Sequence, residues 1–237
     1  MTPGLQHNHD LSAAFTRLIT TTSIDWVMEQ QPADWRLEPW QRQWRMNPPL
    51  PHPQVLDGLQ EEYGRHQRIR RSFVFSYQHR SPLELFIAAM AWGLGTDNRG
   101  PARVRTILTQ PNAAKAIEAV VNTVRQDGAA AGYSTYFPNY RLRQLDIAFI
   151  TKVLYFAGYQ GQQRPRPLIY DRRVASALIR LPEAPLLPST WERVTTDAYH
   201  RYCVWSEGTA ADHETEPAVL EWALFQLGGQ IRDELRT

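Results

Sequence analysis

Apolar positions recur at helical spacing along most of this chain. Leu11, Ala14, Phe15, Leu18 and Ile19 fall on one face, so a helix is expected from 11 to about 30, after a disordered stretch over residues 1–10. A short helix is expected over 53–63. Ser81, Pro82 and Glu84 open a further helix that buries Leu85, Phe86, Ala89 and Met90 and stops near Gly93 and Gly95, the pattern of a capping box with proline in the first turn. Asn112 opens a helix to about 126, with Ile117, Val120, Val121 and Val124 inward. Residues 145–158 form an almost wholly apolar helix. Ser189 and Glu192 form a capping box for a helix to about 204, and Thr215 and Pro217 start the last one.

The intervals have their own character. Residues 31–53 hold six prolines with Trp35, Trp40 and Trp44, so no regular helix can run through them. They wrap the core with aromatic anchors or, alternatively, stack on nucleic-acid bases. Residues 69–77 have the aromatic and branched bias of a short extended segment. Residues 127–141 and 207–216 read as loops. The sum is an all-α chain of about nine helices, divided into a wrapping region (1–80) and a core (81–237).

Composition narrows the function. The 237 residues are 43% hydrophobic, with eight Trp and ten Tyr, enough for a sizeable core. The single Cys203 excludes an intramolecular disulfide and a cysteine-ligated iron–sulfur cluster and fits a reducing cytoplasm. No signal peptide and no apolar run of membrane-spanning length is present. Net charge is only +2, but Arg65, Arg68, Arg70, Arg71 and Arg80 cluster while residues 183–221 are acid-rich. A locally basic face fits a polyanion, although a solvated surface would have the same composition.

Among 26 positive side chains only Lys115 and Lys152 are lysines. Arginine keeps its proton, whereas a buried lysine can release it. Lys152 lies among Ile150, Val153, Leu154 and Phe156, where desolvation would lower its pKa from about 10.4 and leave an amine able to form a Schiff base. The plainer reading is a lysine whose stem is buried and whose head reaches solvent. Asp171 follows Pro167-Leu-Ile-Tyr and precedes Val174, Ala177 and Leu178, the position of an N-cap. A capping carboxylate stays ionised and fixed in direction, so capping is compatible with stabilising a cationic sugar or taking a proton.

Ile-Thr-Lys-Val at 150–153, followed nineteen residues after the lysine by an aspartate in Tyr-Asp-Arg-Arg-Val, resembles the helix-hairpin-helix DNA glycosylases, most closely the 8-oxoguanine DNA glycosylase branch. Glu-Trp-Ala-Leu-Phe-Gln-Leu-Gly at 221–228 resembles the family's late helix beside the base pocket, and Pro-Leu-Glu-Leu-Phe-Ile-Ala-Ala at 82–89 the helix before its DNA-inserting loop. The likeness implies Lys152 as nucleophile at C1′ of a flipped nucleotide, Asp171 assisting, and Trp222, Phe225 and Gln226 at the base. It implies DNA contacts from Asn98 and Arg99, with Arg103 on the following helix, where the plainer reading is an ordinary interhelical turn. From the residues themselves, Tyr140 and Arg141 are a second wedge against the duplex or core fillers, and Arg164 and Arg166, alternating with prolines between the two catalytic candidates, are placed to meet phosphates. No metal or organic cofactor is required. Duplex DNA carrying a damaged or modified base is the implied partner of a monomeric, cytoplasmic, nucleoid-associated enzyme, with strand cleavage by a lyase step possible after excision.

The chain departs from the family at the hairpin. Where relatives carry Leu-Pro-Gly-Val-Gly, this sequence has Ile147, Ala148, Phe149 and Ile150, without the glycines that admit a phosphate. The substrate therefore stays open between 8-oxoguanine and a bulky base such as the glucosylated hydroxymethylcytosine of phage DNA, removed in defence. A non-catalytic damage-sensing module, or a helical Schiff-base enzyme acting on a small carbonyl compound, remains as an alternative.

Overall fold

The computed structural model describes residues 3–30, 34–95, 99–137, 139–185, 187–188 and 190–234. Among them all regular structure is helical. The chain runs α1 (Pro3–Thr21), α2 (Ile24–Met28), α3 (Leu37–Arg45), α4 (Pro53–His66), α5 (Arg71–Phe75), α6 (Pro82–Leu94), α7 (Gly100–Leu108), α8 (Ala113–Tyr136), α9 (Ile147–Gly158), α10 (Arg172–Leu178), a 3-10 turn (Trp191–Arg193), α11 (Thr196–Asp212) and α12 (Pro217–Glu234).

At the centre lie α6 and α9, the two most apolar helices. Every residue from Ile150 to Gly158 is buried, as is every residue from Leu85 to Trp92. A helix apolar on all sides must be enclosed. Here α8 packs on both, and α5 joins them from a third direction. On the far side α10 lies against α12, with α1, α2 and α11 also on α12. Gly228 permits the α10–α12 approach, because a Cβ there would overlap the Arg173 carbonyl.

Local signals explain the helix starts. Ser81 and Glu84 form the reciprocal capping box expected of them, and Asp171 caps α10. Several expectations are corrected. The first helix begins at Pro3, within the stretch expected to be disordered, and breaks after Thr21, where Ser23 caps a separate α2. Residues 71–75, expected to be extended, form α5. Their aromatic and branched side chains reflect burial of Val74 and Phe75 rather than a strand. The region after Gln126 continues as helix through a break at Gly128 (φ 86°) to Tyr136. Ser189 lies outside the described residues. The helix it was expected to cap begins later, at Thr196, under Thr195, and runs on to Asp212 through most of the expected polar loop. Asn112 precedes α8 in the left-handed region without a side-chain cap bond. Trp35 and Trp40 are 3% and 1% exposed, which makes them core anchors rather than base-stacking surfaces.

The glycine-free hairpin between α8 and α9 is held by side chains instead. The Tyr136 hydroxyl accepts from the Leu142 N–H at 3.0 Å and donates to the Leu145 carbonyl at 2.6 Å. Gln110 clamps both main-chain groups of Arg143. The left-handed position the turn needs is taken by Gln144 (φ 66°).

Candidate active site

Lys152 and Asp171 meet because the chain between them is fastened back on itself. Residues 168–170 lie between helices, and each carbonyl is within hydrogen-bond distance of a hydroxyl from a surrounding helix. Tyr199 donates to Leu168 at 2.8 Å and Tyr202 to Ile169 at 3.2 Å, while the Thr151 hydroxyl, which donates to the Ile147 carbonyl at 2.8 Å, lies 3.2 Å from that of Tyr170. The Tyr170 N–H returns a bond to the Thr151 hydroxyl at 3.0 Å. Thr151 precedes Lys152 and Tyr170 precedes Asp171, so this one bridge sets the register of the pair.

The pair has a clear division of labour. Asp171 Oδ1 accepts from the Arg173 and Val174 N–H groups at 2.9 and 3.0 Å. Its Oδ2 lies 3.9 Å from Lys152 Nζ. The ammonium donates to the Ala148 carbonyl at 3.0 Å and stands 5.5 Å above the Phe149 ring. Lys152 is only 6% exposed. Its stem fits because residue 93 is glycine: a Cβ there would come within 2.6 Å of the lysine Cδ.

Both groups line a pocket of about 200 Å³ with Gln30, Arg71, Trp92, Arg173, Glu221, Trp222, Phe225 and Gln226. All three expected pocket residues are therefore assembled with the expected pair. This volume is below the roughly 300–1,000 Å³ of drug-sized sites and is scaled to one small planar group. Aromatic and cationic groups are layered around it. Arg173 stacks over Phe225 at 4.6 Å, and Arg71 over Trp92 at 5.0 Å.

Sequence reasoning missed Arg71 and Glu221 as site residues. They form a buried ion pair at 2.6 Å, 4% and 1% exposed, and Arg71 also donates to the Tyr155 hydroxyl. Burial pushes the Glu221 carboxyl above its ordinary range, with Arg71 opposing the shift. Glu221 opens the quoted late-helix motif, so its position was visible. Arg71 was hidden in a run of arginines.

The expected DNA contacts are more scattered. Asn98 lies outside the described residues. Arg99 precedes α7 and is exposed. Arg103 stacks on the Phe149 ring at 4.9 Å, the ring that also underlies Lys152. Tyr140 and Arg141 line a separate surface cavity with Asn112 and Lys115. Arg166 is bound to Glu207 at 2.8 Å and also pairs with Glu216, which commits its charge to internal carboxylates. Arg164 donates to the Gly161 and Gln163 carbonyls of its own loop. The 65–80 basic cluster is likewise partly neutralised: Arg65 pairs with Glu61, Arg70 with Glu62 and Glu29, and Arg71 with Glu221.

The helical architecture, with its hairpin leading into α9, is of the helix-hairpin-helix glycosylase type. A family model described as "Putative 8-oxoguanine DNA glycosylase OGG-like protein" matches residues 27–225. The chain belongs to that family, and DNA is the substrate class that membership implies. No match was found among curated proteins or solved structures. Among the described residues no helix is long and apolar enough to cross a membrane.

Proposed function

We propose that the protein excises a damaged base from duplex DNA, with Lys152 as nucleophile and Asp171 as its electrostatic partner. The observation that carries this reading is the buried Lys152 amine, 3.9 Å from a capped carboxylate, in the wall of a pocket also lined by Trp222, Phe225 and Gln226. An extruded base enters between the aromatic side chains, with the Gln226 amide available to hydrogen-bond its edge. Asp171 Oδ2 stabilises positive charge on the sugar as the glycosylic bond breaks. The bonding electrons leave with the base, which takes up a proton. The Lys152 side chain, having passed a proton to the departing base, forms the C1′–Nζ bond, and transfer of a second proton from Nζ to the ring oxygen O4′ as the sugar ring opens yields a Schiff base. Loss of a 2′ proton can then expel the 3′ phosphate, which is strand cleavage by β-elimination.

Family membership and the small pocket favour an oxidised purine, 8-oxoguanine first, as substrate. Borohydride trapping tests both chemistry and base. The panel carries 8-oxoguanine, uracil, alkylated purines, and hydroxymethylated and glucosylated cytosines. A covalent adduct is expected on the substrate duplex. Lys152→Gln is expected to lose the adduct and base release while still binding DNA. Turnover that survives this substitution would remove Lys152 from the chemistry. Tight binding with neither adduct nor base release would establish a damage-sensing module.

A further inference from the structure

Trp26, Met46, Ile179 and Val204 are the large apolar side chains found exposed among the described residues. Of these, Trp26 is in ring contact with Trp222, a residue of the pocket wall. It is 46% exposed, and its indole meets Trp222 edge-on at 4.7 Å and 78°. Trp222 is itself 9% exposed and lines the pocket with Lys152 and Asp171.

The exposure is not that of a loose side chain. Trp26 sits on α2, which has only five residues but is fastened throughout. Ser23 accepts from the Trp26 N–H at 3.2 Å, and the Gln30 amide donates to the Trp26 carbonyl at 3.1 Å. The Gln30 carbonyl in turn accepts the Trp92 indole N–H at 3.1 Å. Glu29 binds Arg70, and Val27 is fully buried between these ties. Leaving a large indole in water forgoes hydrophobic stabilisation. An aromatic face on a fixed stretch of backbone, half open beside a base-sized pocket, is suited to stacking on a base, which has an apolar π-face whatever its identity. The family match begins at residue 27, so Trp26 falls just outside it.

We infer that Trp26 is a positioning residue that stacks against the extruded base at the mouth of the pocket. The inference rests on the glycosylase reading above. It assigns the contact to the base and not to the sugar–phosphate chain.

The test uses full-length Lys152→Gln protein, so that complexes persist, with and without Trp26→Ala. Affinity is measured by fluorescence anisotropy for each duplex of the trapping panel and for its tetrahydrofuran abasic counterpart. Trp26→Ala is expected to weaken binding of the preferred base-bearing duplex on the order of tenfold. Binding of the abasic duplex should not change, and Trp26→Phe should restore most of the loss. Equal weakening on both duplexes would mean that Trp26 only braces Trp222 and would overturn the inference, as would no weakening on either. If the parent prefers no duplex of the panel over unmodified DNA, the glycosylase reading itself fails and takes this inference with it.

Discussion

The pocket contains two charged pairs built on opposite plans. Lys152 and Asp171 each have a main-chain partner of their own, the Ala148 carbonyl and the α10 N–H groups, and stand 3.9 Å apart. Arg71 and Glu221 depend on each other at 2.6 Å, deep in the core. The first pair can part when a substrate group arrives, because neither member is then left without a partner. The second cannot part without stranding a charge. One plan suits reacting groups, and the other suits a brace between α5 and α12.

The comparison breaks most visibly at Arg71. Arg71→Met leaves Glu221 buried and unpaired, which is expected to cost about 3–5 kcal/mol of stability. Replacing both, as Arg71→Met with Glu221→Leu, should recover most of it. Lys152→Gln should cost far less, because Asp171 keeps its cap bonds and is 15% exposed. Urea denaturation of the three variants checks the contrast. Equal losses for Arg71→Met and Lys152→Gln would show that the pairs do not differ as argued.

The same contrast explains what could be read in advance. Lys152 and Asp171 carry local signals: a rare lysine in an apolar helix, and an aspartate at a helix start. The Ser81 capping box was legible for the same reason. Arg71 was not, because its partner lies 150 positions away and its neighbours suggested a solvated basic run. Burial also misled the reading of 69–77, where a helix packed on several sides loses its period. Gly128 was read as the start of a loop, although the chain only kinks there and resumes its helix. Arg166 looked free for DNA because nothing local announced Glu207 and Glu216.

A smaller effect is expected at the hydrogen bond that joins the first pair. Thr151→Val keeps the shape but removes the hydroxyl that accepts the buried Tyr170 N–H. The orphaned donor should cost about 1–3 kcal/mol. Because Tyr170 carries Asp171, base release under single-turnover conditions should slow as well. Thr151→Ser should keep both stability and rate near the parent. A rate unchanged in Thr151→Val would mean that the segment 168–170 holds Asp171 through the two tyrosine hydroxyls alone.

The smallest expected effect lies in the pH dependence of stability, where the partly buried Glu207 and the fully buried Glu221 act in opposite directions. At Glu207 burial pushes the carboxyl up, but the hydrogen bonds from Arg166 outweigh it and hold the group below the usual carboxylate range. Its contribution is therefore present above the unfolded value and is lost as pH falls through the lowered folded one. At Glu221 burial wins over Arg71, and the folded carboxyl holds its proton more tightly than the unfolded one. Its contribution is present below the unfolded value and is lost as pH rises from there through the raised folded value. Glu221→Gln should therefore flatten the decline just above the ordinary carboxylate range, and Arg166→Ala should flatten the acid limb. Urea midpoints measured across pH for both variants separate the two. A Glu221→Gln curve that still follows the parent above the ordinary carboxylate range would mean that Arg71 fully offsets the burial of Glu221, and that this brace carries no titration of its own.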